Sequence, residues 1–227
     1  MWAVYKKELK SYFLSPIGYV VIGILLFVCT VFFYLTTINS SSVDLGALYF
    51  YTALYGLMIA VPILTMRTFA EERKNGTEQL ILTSPVNIGG VVFGKFFAAM
   101  SVIAATLVIS FIYFGIIKYF GNPNIIVLLV TMLGFLLVSG AAIAFGMFAS
   151  SLTENQIISG IITIAFLIMS LFIPDLGKGF NMISIMDFYE KFPLGVISAT
   201  EVVGALSFTA MFIAFTIIVM QRRKLVK

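Results

Sequence analysis

Long uncharged runs separated by short charged connections dominate this chain. Six such runs fall at about 17–38, 45–66, 96–117, 125–149, 157–174 and 202–220. A bilayer core of about 30 Å is crossed by roughly 20 apolar residues in helical form, at about 1.5 Å each. A barrel strand would instead alternate apolar and polar residues over about 10 positions, whereas Ile17 to Ile38 passes without one charge. The pattern predicts an all-α integral membrane protein with six transmembrane helices. The connections are too small and too apolar to build a soluble second core, so residues 1–227 read as one transmembrane domain.

Within the spans the sequence places no ionisable residue deep, with Glu201 only at the edge of the last. Proton relays and ion pathways need such groups despite a cost of roughly 2.5–3.5 kcal/mol each, so a channel or ion-coupled carrier is disfavoured and energy must come from a partner. Thr106, Ser110, Thr131, Ser139, Thr163 and Ser170 are expected to bond to other helices or to their own backbone. Ala142, Gly146 and Ser150 repeat at four-residue spacing and predict a small-residue ridge for close helix packing. Pro62 predicts a kink in the second span.

The densest polar stretch, residues 67–87, lies between the second and third runs. A passive connection needs only a few residues; this one spends about twenty. Helical propensity through Phe69–Lys74 predicts that the second span continues beyond the membrane. Asn75-Gly76 then breaks it, with glycine suited to a left-handed cap. Thr77 and Glu78 open a second short helix, with the Thr77 hydroxyl as N-cap; Leu80, Ile81 and Leu82 give it apolar grip, and Ser84-Pro85 ends it. The elbow reads as a docking surface for a soluble partner, made of Arg67, Glu71, Glu72, Arg73, Gly76, Thr77, Glu78, Gln79 and Leu80.

At the amino terminus, residues 1–16 read as a helix lying in the membrane interface. Trp2, Tyr5 and Leu9 fall near one face, and Lys6, Lys7 and Lys10 occupy the other. Ser15-Pro16 ends it, because the residue before proline avoids the α region. The first apolar run exceeds a signal-peptide core of about 7–15 residues and is expected to stay as an anchor.

Composition and charge sharpen the class. Hydrophobic residues make up 61% of the chain and charged ones 11%, with a mean hydropathy of +1.10. With the amino terminus inside, the cytoplasmic connections hold 11 Lys and Arg residues against 3 outside, which places both termini in the cytoplasm. The net charge of +4 is then a topology signal, with no nucleic-acid partner implied. The chain has no histidine, and its single cysteine, Cys29, lies inside the first span. Neighbouring Glu71 and Glu72 point about 100° apart on a helix, so no catalytic, metal-binding or cofactor-binding residues are assigned. Gly89, Gly94 and Lys95 imitate a phosphate-cradling loop, but Phe96 stands where a hydroxyl must hold Mg²⁺ and no buried strand precedes it. They read as glycines at a bend where the chain enters the membrane, with Lys95 snorkelling to the headgroups.

The stretch Arg67…Glu71-Glu72-Arg73-Lys74-x-Gly76-Thr77-Glu78-Gln79-Leu80…Thr83-Ser84-Pro85-Val86, followed by Gly94-Lys95-Phe96, closely resembles the first cytoplasmic loop of ABC-2 type permeases. The nearest branch includes gliding-motility permease subunits and the nitrous-oxide-reductase maturation permease. Tyr5-Lys6-Lys7-Glu8-Leu9-Lys10…Ser15-Pro16 and Ser150-Ser151-Leu152-Thr153-Glu154-Asn155-Gln156 fit the same branch, so the likeness extends over essentially the whole chain. The resemblance implies the membrane half of an ABC exporter in the inner membrane of a prokaryote. Its partners would be a nucleotide-binding subunit carrying ATP and Mg²⁺, a second permease copy or paralogue, and the lipid bilayer. It also implies that Glu71–Leu82 is the coupling helix and that the external segment 174–200 holds short re-entrant helices, where Asp187, Glu190 and Lys191 interrupt Phe188, Phe192 and Leu194. The substrate is not written in the sequence. The competing reading is a non-transporting membrane scaffold or immunity protein whose loop binds a soluble partner without ATP.

Overall fold

The computed structural model describes residues 1–39, 45–79, 87–172 and 184–226, and no strand occurs among them. Helix α1 (Trp2–Leu14) stops at Ser15, which is extended at φ −92° and ψ 158°, and Pro16 opens α2 (Pro16–Phe32). Proline suits that first position because its missing N–H has no helical acceptor anyway. Helix α2 continues as wider π turns over Phe33–Ile38. The next span is built from α3 (Leu45–Tyr51), a π segment over Thr52–Gly56 and α4 (Leu57–Thr65). After a turn comes α5 (Ala70–Lys74), followed by the long helices α6 (Ile88–Phe120) and α7 (Ile125–Leu152), then α8 (Gln156–Phe172) and α9 (Ala199–Val226).

Among the described residues, five helical stretches are long and apolar enough to cross a membrane: Pro16–Ile38, Leu45–Lys74, Ile88–Phe120, Ile125–Leu152 and Ala199–Lys224. Helix α8 is equally apolar but has 17 residues. The sequence expects that span to reach 174, and residues 173–183 lie outside the described ones, as does most of the expected outer loop Asn39–Asp44.

Helix α7 is the hub. It packs against α9, α8, α4 and α6, and 61% of its most apolar window is buried, against 28% for the first span and 22% for the last. Those two outer spans present their apolar faces to whatever surrounds the bundle. Between α7, α8 and α9 runs an aromatic seam in which Phe145 stacks on Phe166, and Phe212 meets Phe145, Phe148 and Phe208. The six hydroxyls singled out from sequence all donate to a carbonyl one turn earlier in their own helix. Ser110 also meets the Tyr49 hydroxyl at 2.9 Å, and Thr131 the Phe192 carbonyl at 3.1 Å. Pro62 sits inside α4, where its ring removes one bond from the ladder.

The start of α6 differs from the sequence expectation. No bend occurs at Gly89–Lys95; the helix begins at Ile88, capped by the Asn87 side chain, which accepts from the Gly89 N–H at 3.0 Å. Its 33 residues extend about 50 Å at about 1.5 Å each, well beyond a hydrocarbon core of about 30 Å. Gly94 serves contact with α1, since a Cβ there would lie 3.1 Å from Val4, whereas Gly89 lies nearest Asn87 and Ile217. Helix α1 is thereby fastened along the first turns of α6. Its faces also differ from the expected division. Lys6 stands over the Trp2 indole, 5.3 Å from the ring centroid, on the side expected to be purely apolar. Lys10 is exposed, and Leu9 packs against the core.

At the opposite end of the bundle, the described part of segment 174–200 holds two single 3₁₀ turns, Asp187–Tyr189 and Phe192–Leu194. Phe188 and Phe192 are buried while Leu194 is exposed. Phe192 fills the space left by the missing side chain of Gly134, which lies about 14 Å along α7 from Ile125 at about 1.5 Å per residue. Lys191 pairs with the buried Glu201 at 2.9 Å.

Candidate functional site at the charged end of the bundle

The polar loop begins with a break that the sequence does not reveal. The second span does not run unbroken into Lys74; the helix stops at Thr65, and residues 66–69 form a turn before α5 restarts. Ser150 on α7 makes the break tolerable. Its hydroxyl oxygen accepts from the N–H groups of Phe69 and Ala70, both at 3.1 Å, and its proton goes to the Met66 carbonyl at 3.3 Å. One side chain thus satisfies three backbone groups that a helix end leaves orphaned. One turn earlier on α7, Gly146 lies directly under Thr65, and a Cβ there would collide with the threonine side chain. Ala142, two turns before Ser150, is buried on the same helix.

After α5, Gly76 adopts φ +71°, the left-handed cap expected from Asn75-Gly76. The Thr77 hydroxyl does not face only forward as a cap; it donates back to the Glu72 carbonyl at 3.2 Å, tying the turn to the helix before it. Residues 78–79 are helical again, and Leu80 with the remainder of the expected second helix lies outside the described residues.

Beneath α5 lies an ion-pair cluster centred on Lys95. Its side chain is 2% exposed, so it does not snorkel; Nζ lies 3.1 Å from Glu8 Oε1 on α1 and 2.9 Å from Glu72 Oε1 on α5. The Phe69 ring covers the ammonium at 5.3 Å. Lys7 adds a looser contact to Glu72 at 3.7 Å from the solvent side. The Glu72 Oε2 atom is buried without a hydrogen-bond partner among the described residues. Tyr12 sits in the same place and donates to the Leu64 carbonyl at 3.3 Å. Burial, reinforced by the negative charges of Glu8 and Glu72, pushes its hydroxyl well above the ordinary tyrosine range, so it remains a donor. A buried lysine is tolerable only with such partners, because removing an ion from water costs several kcal/mol.

A second cluster ties the turn to the other side of the bundle. Glu78 is buried; Arg223 on α9 donates to its Oε1 at 3.2 Å, and Arg73 approaches its Oε2 at 4.0 Å. Arg73 also pairs with Glu154 at 2.8 Å and donates to the Leu152 carbonyl at 3.4 Å, at the end of α7. The loop is therefore strapped to α1 and α6 through Glu72 and to α7 and α9 through Arg73 and Glu78.

This changes the docking surface expected from sequence. Glu72 and Glu78 point inward and hold the loop, so they are not free charges for a partner. The outward crest consists of Arg67, Lys74, Asn75, Gly76, Thr77 and Gln79, with Glu71 half-exposed beside Arg67 at 3.8 Å. Glu8, Lys95, Glu154 and Arg223 were absent from the sequence-derived set. The only local hint was Lys95 itself, a lone cation at the threshold of an apolar run. Among the described residues no three His, Cys, Asp or Glu side chains are grouped to hold a metal. What the arrangement can do is transmit force, since a push on the crest is shared by four helices.

No curated protein matches the chain. Residues 13–170 match the family model described as ABC-2 family transporter protein, a range that takes in α2 to α7, most of α8, and Glu72, Arg73, Glu78, Lys95 and Glu154 of the ion-pair clusters, and leaves out Lys7, Glu8 and the last span with Arg223. With the greater part of its length matched, this chain belongs to the ABC-2 family of transporter proteins, as one of their transmembrane subunits.

Proposed function

We propose that the chain is the membrane-spanning permease subunit of an ABC exporter, and that a separate nucleotide-binding subunit, carrying ATP and Mg²⁺, docks on residues 67–87. The build of the loop carries this reading: its crest from Lys74 to Thr77 is exposed, while Glu72 and Glu78 strap its base to α1, α6 and α9. A docked subunit that changed position with nucleotide state would move these helices together, which supplies the differential contact that a ligand-driven switch requires. The described part of coupling helix Glu71–Leu82, residues 71–79, thus divides into an outward contact and an inward brace.

Six spans, with α8 completing the set and both termini in the cytoplasm, are favoured by the 11-to-3 division of cations. Helix α1 serves as the interfacial elbow. The exposed apolar faces of α2 and α9 suit a second permease copy or paralogue, and the seating of Phe192 against Gly134 supports a re-entrant course for segment 174–200. The motifs of the loop favour the branch of gliding-motility and nitrous-oxide-reductase maturation permeases, in a prokaryotic inner membrane.

The test uses the exposed crest and leaves the buried brace intact. Asn75→Cys gives an accessible thiol in a chain whose native cysteine, Cys29, is buried, and an impermeant maleimide should label the new thiol only after the cytoplasmic side is opened. Copurification should recover an ATPase subunit, and the double variant Arg67→Glu/Lys74→Glu should abolish the hydrolysis it shows with the permease while leaving thermal unfolding unchanged. Labelling of the introduced thiol from outside intact cells, or full coupled hydrolysis in the double variant, would sink the proposal.

A further inference from the structure

A cavity of about 540 Å³ opens between α1 and α6, lined by Trp2, Tyr5, Phe97, Met100, Ala104 and Leu136. Its two side-chain hydroxyls, on Tyr5 and Ser101, are already engaged. The Ser101 hydroxyl donates to the Phe97 carbonyl at 2.8 Å, so at the 3.0 Å contact between Tyr5 and Ser101 the tyrosine is the donor. What the cavity offers an occupant is therefore chiefly alkyl and aromatic surface, with Met1 beside Trp2 among its lining residues. Between Phe97 and Ala104 it follows α6 for about 10 Å, a large part of the roughly 15 Å hydrocarbon depth of one leaflet. At its mouth Trp2 is 66% exposed, stacks on Tyr5 at 5.2 Å, and carries the Lys6 ammonium above its face. The one acid of α1, Glu8, is turned away toward Lys95.

We infer that this cavity holds an acyl chain of an anionic phospholipid, with the lipid phosphate at Lys6. An apolar slot of this size, a cation and an indole at its rim, and a helix rich in lysine above it together match an amphiphile that is negative at one end and hydrocarbon along the other. The inference rests on the membrane reading of the family and not on the docking of an ATPase, so each can fail without the other. Occupancy would pin α1 against α6 beside the Lys95 cluster and make the loop's anchor sensitive to lipid composition.

Trp2 is the only tryptophan in the chain, so its fluorescence reports from the mouth of this cavity, and the saturable part of its quenching separates occupancy from contact with bulk lipid. The full chain is reconstituted in phosphatidylcholine vesicles containing a minor fraction of either phosphatidylglycerol or phosphatidylcholine brominated on the acyl chain. Brominated phosphatidylglycerol should quench Trp2 saturably, at a mole fraction about fivefold lower than the brominated phosphatidylcholine, the ratio expected from one lysine–headgroup contact. Lys6→Gln should remove that preference, and Ala104→Phe should suppress the saturable component with helix content unchanged by circular dichroism. Equal quenching by the two lipids, protection of Trp2 from both by a second copy of the chain, or a preference that survives Lys6→Gln would each overturn the assignment.

Discussion

Replacing Lys95 by methionine keeps an unbranched chain of similar reach and removes only the charge. In the native structure that charge lies within 3.1 Å of two carboxylates whose side chains are 13% and 14% exposed. Without it, the cation left among the described residues beside Glu8 and Glu72 is Lys7, at 3.9 Å and 3.7 Å respectively and with a side chain 70% exposed. Breaking a buried ion pair in this way costs about 3–5 kcal/mol, because an uncompensated charge stays out of water. Neutralising all three groups, as Glu8→Gln/Glu72→Gln/Lys95→Met, removes the desolvation penalty along with the attraction and should return the protein to within about 2 kcal/mol of the native value. Equilibrium unfolding in mixed detergent micelles, together with hydrogen exchange, measures both. The single variant should lose protection first in α1 and α5, since these are the elements Lys95 holds to α6. A Lys95→Met protein within about 1 kcal/mol of native, or a triple variant no more stable than the single one, would refute the claim that a buried charge braces the loop.

Three further outcomes follow from the same geometry. Ser150→Ala strands the Phe69 and Ala70 N–H groups and should cost about 1–3 kcal/mol, seen as faster exchange at those two amides with α7 otherwise unchanged. Gly146→Ala drives a methyl into Thr65 and should cost about 1–3 kcal/mol, with Thr65→Ala in the same chain restoring most of it; no rescue would mean the two helices do not meet there. Burial, with the Glu190 charge adding and the Ser184 bond opposing, raises the carboxyl of Asp187 above its ordinary 3.8. A raised acid favours the folded state below its unfolded value and loses that advantage as pH rises through the folded one. Asp187→Asn should therefore raise the melting temperature at neutral pH and flatten its decline as pH rises above about 4, the unfolded carboxyl's range, and parallel melting curves for the two proteins would count against it.

Much of this molecule is written locally. Membrane-length helices follow from apolar runs, because a bilayer rejects unsatisfied backbone and charge residue by residue and needs no distant partner to do so. The Asn75-Gly76 break is equally local, since a left-handed residue needs glycine's missing side chain wherever the chain then goes. Trp2, Tyr5 and the Ser15-Pro16 stop likewise announced α1, although the pairing of Lys6 with Trp2 depended on helix geometry that a two-face reading blurred. The brace itself came from the tertiary structure. Lys95 finds Glu8 across 87 positions, and Arg223 finds Glu78 across 145. Nothing in either neighbourhood says which of several nearby charges will be buried and which will face outward. Packing decided that: Gly94 lets α1 lie against α6, and Gly146 and Ser150 let α4 and α5 close over α7. Once those backbones touch, Lys95 has no route to water and Glu72 and Glu78 must turn inward, leaving Lys74 to Thr77 as the crest. Composition along a chain sets which segments leave water, whereas the pairing of charges depends on distances that exist only after the helices have met.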